Sequence, residues 1–457
     1  MDKSCAVILA AGEGKRMKSD LPKVMLNVLF KPMLQWVIDS VHSAGTDDIC
    51  VVVGFKEEVI RAYLGDSCEI ATQSERKGTG HAVMMAKEYL SARSGGHVLV
   101  LCGDAPFMDD QTIKAAYNKH VAEDNSATVI SAVLDDPTGY GRIIRDGKIG
   151  PVLEIVEHKD ATPEQLVINE INSGAYWFKI DDLLPVLDTD HITNNNAQGE
   201  YYLPDVIKIF LKNNLKVNAY ISDNKQTVMG ANNCVQLNNL SGIARKNILN
   251  RLLENGVEMP SSAGVIIGPD VEIGRNVTIL PGTILRGKTF IDDGCTIGPN
   301  SLVDTCTIGK NTIINASQCY YSTIGSNTDI GPFSHVRPGC SIDDKVHMGD
   351  FVELKNTRIG SGTKISHLCY IGDSELGEDV NVGCGFVTVN YDGKNKHSCH
   401  IGNGAFLGCN SSLIAPITVG NDAYVAAGTT ITEDVPDGAL AIGRVRQETK
   451  EDWNKKQ

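Results

Sequence analysis

Apolar positions along this chain keep two different periods, and the change from one to the other falls a little beyond its middle. Up to about residue 230, short β-branched runs alternate with stretches whose apolar positions recur every three or four residues. Ala6 to Leu9, Cys50 to Val53, Val98 to Cys102 and Ala127 to Leu134 read as strands, and Met33 to Ser43 as one of the helices between them. Strand then helix, repeated, predicts an α/β, Rossmann-like domain: a largely parallel sheet covered on both faces. Leu237, Leu240, Ala244, Ile248 and Leu252 then recur at helical steps until Asn255-Gly256 stops them. This segment is either a connecting helix with one buried stripe or a core helix of the first domain.

From about Gly264 the period becomes six. Ile267, Ile273, Ile279, Leu285, Ile291, Ile297 and Val303 fall in one frame. After slips it returns through Ile324, Ile330, Val336, Ile342, Met348 and Leu354, then Ile359, Ile365 and Ile371, then Leu376 and Val382, and finally from Ile401 to Ile431. Six residues do not fit a helix, but they fit a short strand plus a corner, with the aliphatic anchor stacked inside a β-helix. Asn390 to His400 interrupts the frame and reads as a loop projecting from the coil, a favourable place for function. The expected organisation is a domain over 1–230, a linker helix over 231–256 and a β-helix over 257–457.

Composition narrows the possibilities. A 457-residue chain with 42% hydrophobic and 21% charged residues is a folded protein of at least two domains. The formal charge of −14 argues against nucleic acid or an acidic membrane surface as partner. No stretch approaches a membrane span, and the run Cys5 to Ala11 lacks the basic flank and length of a signal peptide. Thirteen cysteines, no two closer than ten residues, suit neither a disulfide framework nor a metal knuckle. A soluble, cytoplasmic protein in a reducing compartment is expected. His397-Ser398-Cys399-His400 is assigned no metal, because adjacent donors on one loop seldom converge on one ion.

Two motif sets carry the chemistry. The first opens with Leu9-Ala10-Ala11-Gly12-Glu13-Gly14-Lys15-Arg16-Met17 and Leu21-Pro22-Lys23, followed by Gln73 to Ala82 (QSERKGTGHA), Asp136 to Ile143 (DPTGYGRI), Ile155 to Asp160 (IVEHKD) and Asn194 to Tyr202 (NNNAQGEYY). The second comprises Ser366-His367-Leu368-Cys369-Tyr370 and the NYDG beginning at Asn390. Glycines after a strand let backbone amides approach phosphate oxygens, and Arg16 and Lys23 add charge where pyrophosphate would leave. Met17 replaces the third glycine of a dinucleotide fingerprint and no Walker Lys-Ser/Thr pair is present, which disfavours NAD and P-loop readings. Asp104, after the strand ending at Cys102, is a hard oxygen donor at the carboxyl edge of a sheet; a helix cap before Pro106 is the other reading. His367 is the best candidate base, because imidazole titrates near working pH; a structural histidine at a coil corner is the alternative.

In combination and order, these motifs resemble the family of bifunctional N-acetylglucosamine-1-phosphate uridyltransferases and glucosamine-1-phosphate acetyltransferases over nearly the whole chain. The first half is similar to sugar-nucleotide pyrophosphorylases and the second to left-handed β-helix acyltransferases; the left hand is implied by the resemblance alone. The resemblance implies acetyl transfer from acetyl-CoA to glucosamine 1-phosphate, then uridylyl transfer from UTP to N-acetylglucosamine 1-phosphate, supplying cell-envelope synthesis. It places Leu9, Ala10, Ala11 and Gly12 at the nucleotide, with Gln73, Gly78 and Thr79 on the uracil and ribose side. Gly141, Glu157 and Asn172 lie around the amino sugar, and Asp104 and Asn232 hold Mg²⁺. In the coil it implies Arg337 and Lys355 as the phosphate clamp, and Tyr370, Asn381, Asn390 and Tyr391 as the acceptor pocket. Ala427 and Arg444 contact coenzyme A, and a homotrimer is implied. Lys15, Cys384 and Cys409 depart from the family pattern, where Thr, Ala and Ser are common. Two rivals stand beside it: a monofunctional pyrophosphorylase with a regulatory β-helix, which would not need the HLCY and NYDG pair, and a non-catalytic scaffold, which would not need Gly12, Arg16, Lys23 and Asp104.

Overall fold

The computed structural model describes residues 1, 3–147, 150–451 and 453, and the chain divides into two compact units, Met1–Ala244 and Arg245–Gln457.

The first unit is built on one twisted sheet in the order Val217–Ile221, Ala127–Val133, Glu170–Lys179, His97–Cys102, Ser4–Leu9, Ile49–Val53, Glu69–Thr72. Ser4–Leu9 pairs in parallel with both of its neighbours. Its residues alternate between two cores. Ala6 and Ile8 pack with Leu34, Val37 and Val41 of the helix Met33–Ser43, whereas Cys5 and Val7 face Val83, Leu90 and Phe210. A strand buried on both faces needs a continuous apolar run, which explains why Ile49–Val53 is buried throughout. Each such side chain adds roughly 1.5–3 kcal/mol of burial free energy.

The parallel expectation needs one correction. Glu170–Lys179 runs antiparallel to both neighbours and carries a register shift between Asn172 and Ala175, where Gly174 takes a φ of 80°. Side-chain pattern reports burial and not strand direction, so the sequence gives no warning of it. A two-stranded extension, Arg142–Arg145 with Val152–Val156, pairs through Arg142 to the same strand.

The helix Cys234–Glu254 buries Leu240, Ala244, Ile248 and Leu252 along one stripe. Gly256, at φ 86°, ends it with its N–H on Leu253 O, and Val257 N–H reaches Leu252 O.

The second unit is a three-sided parallel coil. Ile266, Glu272 and Thr278 begin three successive short strands, and Ile284, Phe290 and Thr296 stack directly on them one turn later. Of the six-period anchors, Ile273 is half-buried and the others are buried. Buried hydroxyls tie one turn to the next, as Ser334 Oγ does to Gly349 O at 2.6 Å. Small residues are not the only ones that turn the chain. Phe333, Phe351 and Leu368 take φ values of 60°, 57° and 38° at one corner, and all three stay exposed, the two rings stacked at 5.6 Å. The strand Val387–Val389 ends and Cys399–Ile401 begins on either side of the loop, which spans 390–398 and so closes two residues before its expected limit. Asp392 organises that loop by accepting from the backbone of Asn395 and Lys394 and from His397, bonds that hold its carboxyl down at about 2.

Candidate active sites

In the first unit, Ala10 and Ala11 fasten the end of the first strand through backbone bonds to Val52 and Phe55, and the chain then turns out of the sheet. A Cβ added to Gly12 would meet nothing within 4 Å beyond its chain neighbours. Gly14, at φ 68°, leaves no room for a side chain, since a Cβ there would lie 2.7 Å from Lys23 Cβ. Two short 3₁₀ turns, Lys15–Met17 and Lys23–Met25, present Arg16 and Lys23. Lys15 points away toward Glu13. The Lys23 ammonium donates to Asp104 Oδ2 and, at 2.9 Å, to Asn232 Oδ1, which also accepts from Arg16 at 3.0 Å. Asp104 is therefore no helix cap; Asp109 caps the following helix by accepting from Thr112 N at 2.7 Å.

Two cavities meet at Cys102 and Asp104. The smaller, about 270 Å³, is walled by Leu9, Ala11, Gly12, Lys23, Gln73, Gly78 and Thr79. Gln73 is buried and donates to Gly78 O at 3.0 Å, and Thr79 Oγ1 accepts from Leu203 N at 3.1 Å, which ties the cavity rim to the segment around Tyr202. The larger, about 750 Å³, is walled by Arg16, Asp104, Glu157, Asn232, Tyr140 and Ser173 among others. Burial, with the acids Asp160, Asp205 and Glu200 around it, pushes the Glu157 carboxyl above its ordinary value. Gly141 and Asn172 stand behind this wall. Gly141 O accepts Asn172 N–H at 2.9 Å, a Cβ on Gly141 would sit 3.2 Å from Glu157 Oε1, and the Asn172 amide donates to Tyr176 Oη at 2.6 Å.

In the second unit, His367 Nδ1 lies 2.7 Å from Asp350 Oδ1, at the paired position of the preceding turn. That bond holds the Asp350 carboxyl below its ordinary value, and it leaves Nε2 as the nitrogen able to take a proton. Asp373 gathers the neighbouring groups, accepting from Asn390 at 2.6 Å, Asn356 at 2.9 Å and Lys355 at 3.2 Å. Burial alone would raise the Asp373 carboxyl, but these donors hold it low. Asn390 also reaches Tyr370 Oη at 3.4 Å. Arg337, on the turn before Lys355, pairs with Glu353 at 3.0 Å. The loop brings Lys396 against Lys355, and that contact, with Arg337 farther off, pushes Lys396 below its ordinary value. Tyr391 is exposed on the same loop.

Register also aligns the remaining residues. Lys364, Asn381, Phe406 and Tyr424 pair in succession, so His367, Cys384, Cys409 and Ala427, three residues on, form one column. Asn410 N–H to Cys384 O at 2.7 Å and Gly428 N–H to Cys409 O at 2.8 Å fix its upper rungs. Arg444 reaches the top, its Cδ 3.8 Å from where a Cβ on Gly428 would be.

Residues 5–226 match the nucleotidyl transferase family, and residues 398–433 the bacterial transferase hexapeptide, six repeats. The Bifunctional protein GlmU of Geobacillus sp. (strain WCH70) is 49% identical over 453 residues, 99% of this chain and 98% of that protein. Those of Caldanaerobacter subterraneus subsp. tengcongensis, over 453 residues, and Acetivibrio thermocellus, over 448, are each 48% identical, covering 99% and 98% of this chain and 98% and 96% of theirs. The chain belongs to the GlmU family. Its second unit is accordingly the left-handed parallel β-helix of hexapeptide-repeat transferases, and the two units are a nucleotidyltransferase and an acyltransferase.

Several groups at the two sites were not singled out from the sequence. Arg76 and Glu200 line the smaller cavity, and Lys159 and Gln198 the larger. All four lie inside motifs quoted for other members, so the signal was present but unresolved to side chains. Asp350 and Asp373 lie about one turn from the residues they serve, a separation no short motif spans.

The donor set around Asp104 fits a magnesium ion. Two hard oxygens, Asp104 Oδ2 and Asn232 Oδ1, already converge on one cation, the Lys23 ammonium, and Mg²⁺ commonly takes one or two protein oxygens with phosphate oxygens and water completing its shell.

Proposed function

We propose that the chain makes UDP-N-acetylglucosamine in two steps, acetylating glucosamine 1-phosphate in the β-helix unit and uridylylating the product in the α/β unit. The observation that supports this is the convergence, in each unit, of groups suited to one step: Arg16, Lys23, Asp104 and Asn232 around paired cavities, and a histidine–aspartate pair beside three clustered cations.

In acetyl transfer, His367 Nε2 accepts a proton from the amine as nitrogen attacks the thioester carbonyl, and Asp350 supports the imidazolium that forms. Arg337, Lys355 and Lys396 hold the sugar phosphate despite the acidic total charge. The column from Ala427 and Arg444 to His367 seats coenzyme A, with direct transfer and no covalent enzyme intermediate.

In uridylyl transfer, a 1-phosphate oxygen of the sugar attacks the α-phosphorus of UTP and pyrophosphate leaves. Gln73, Gly78 and Thr79 receive the uridine, and Glu157 receives sugar hydroxyls. Arg16 and Lys23 stabilise charge on the departing phosphates. Mg²⁺ held by Asp104 and Asn232 neutralises phosphate charge when bound.

We also propose a cytoplasmic homotrimer. The exposed apolar corner of Phe333, Phe351 and Leu368, beside His367, favours cover by a second copy; light scattering that finds only monomer in an active preparation would contradict it. Among the described residues, no helix is long and apolar enough to cross a membrane.

The deciding assay supplies purified chain with UTP, Mg²⁺, acetyl-CoA and glucosamine 1-phosphate, and the expected product is UDP-N-acetylglucosamine. A chain that uses N-acetylglucosamine 1-phosphate but never glucosamine 1-phosphate would instead be a monofunctional pyrophosphorylase.

A further inference from the structure

Among the described cysteines of the coil, Cys384 and Cys409 are the two that are exposed. Cys295, Cys306, Cys319, Cys340, Cys369 and Cys399 are buried. Their thiols are raised by burial, those of Cys306, Cys369 and Cys399 to about 11, and several bond to backbone oxygens, as Cys295 does to Gly309 O at 3.0 Å. The exposed pair is placed differently. Its members occupy matching positions on adjacent rungs, because Asn381 pairs with Phe406 and Val382 with Leu407 just before them, and Asn410 N–H closes on Cys384 O just after. Neighbouring strands lie about 4.7–4.9 Å apart, within the roughly 4.4–6.8 Å between α-carbons that a disulfide spans.

Both side chains therefore project from one corner, one above the other, with His367 on the rung below. We infer that Cys384 and Cys409 are a dithiol that closes to a disulfide under peroxide and reopens under a thiol reductant, and that closure shuts off acetyl transfer. The oxidant is hydrogen peroxide. The Cys384 thiolate attacks a peroxide oxygen, giving a sulfenic acid and one water; the Cys409 thiolate then attacks that sulfur, the S–S bond forms and a second water leaves. The assignment of Cys384 as first attacker is interchangeable with Cys409 in the balance. Two thiols lose two electrons and two protons, and the peroxide takes both. Closure acts on the site because a thioester reaching from Arg444 and Ala427 to His367 must pass both sulfurs. This last step rests on the proposed acetyl transfer.

The test treats full-length chain with hydrogen peroxide, alkylates the remaining thiols and maps peptides by mass, while both transfer reactions are followed. Support is a Cys384–Cys409 linked peptide, at least a tenfold loss of acetyl transfer with uridylyl transfer unchanged, and recovery in dithiothreitol. In C384A and in C409S, the ratio of acetyl transfer after peroxide to that before stays near one, whatever the reduced rate of each variant. No linked peptide, or a linked chain that still acetylates at its reduced rate, overturns the inference. A reduced chain that never acetylates refutes the acetyltransferase reading instead, and the peptide map still decides whether the dithiol closes.

Discussion

His367 and Asp350 face one another across adjacent turns of the coil, Nδ1 to Oδ1 at 2.7 Å, at paired positions of one continuous strand ladder. The carboxylate fixes the tautomer, so Nε2 carries the basic lone pair. Replacing His367 with alanine is expected to lower acetyl transfer by about 10²–10⁴-fold and to leave uridylyl transfer unchanged. Asp350→Asn should lower it through kcat and not KM, since the histidine remains but loses the carboxylate that fixes its tautomer. Separate assays of the two half-reactions check both; loss of both activities in folded protein would contradict independent sites.

Lys23→Ala and Asp104→Ala are expected to do the reverse. Each removes a group that lines the smaller cavity, and uridylyl transfer should fall by about 10²–10³-fold while acetyl transfer holds. A chelator should reproduce that division in unmodified protein, as expected if Mg²⁺ acts at Asp104 and Asn232 and at no site in the coil.

His120 is fully buried, its Nε2 3.1 Å from His97 Nδ1 and its Nδ1 3.0 Å from Thr128 Oγ1. Burial, with His97 beside it, pushes its imidazole down to about 3. The unfolded chain takes up a proton near pH 6.5 and the folded chain does not. Stability from this group is thus present above about pH 6.5 and declines by about 1.4 kcal/mol per pH unit as pH falls from there toward 3. Unfolding of the chain measured between pH 4 and 7 should show a flatter slope in His120→Gln.

Ile330 is 2% exposed within the coil. Ile330→Ala leaves a cavity that neighbouring rungs cannot fill without breaking their ladder bonds, at a cost of about 2–5 kcal/mol. Heat inactivation should consequently remove acetyl transfer at a lower temperature in the variant, with the inactivation temperature of uridylyl transfer unmoved.

Local pattern carried much of this protein. The six-residue frame located most inward anchors, because each rung repeats the same requirement for one aliphatic side chain, but it slipped past one whole turn, Ile308, Ile314 and Cys319, which stack on Ile291, Ile297 and Val303. The buried strands and the Met33–Ser43 helix were equally plain. Legibility ended where function depends on partners one turn away. Asp350 serves His367 and Asp373 serves both Lys355 and Asn390 at separations that slips in the frame disguise. The antiparallel Glu170–Lys179 was equally hidden, since alternation looks alike in either direction.

The three-sided coil has a consequence for how such a chain can change length. Losing one hexad between His367 and Cys384 would keep every later anchor pointing inward yet rotate all that follows by one face, carrying Cys384, Cys409 and Ala427 away from the edge that bears His367. Only whole turns, or excursions such as 390–398 that return to where they departed, preserve phase. Insertions and deletions among working variants of this coil should therefore concentrate in such excursions.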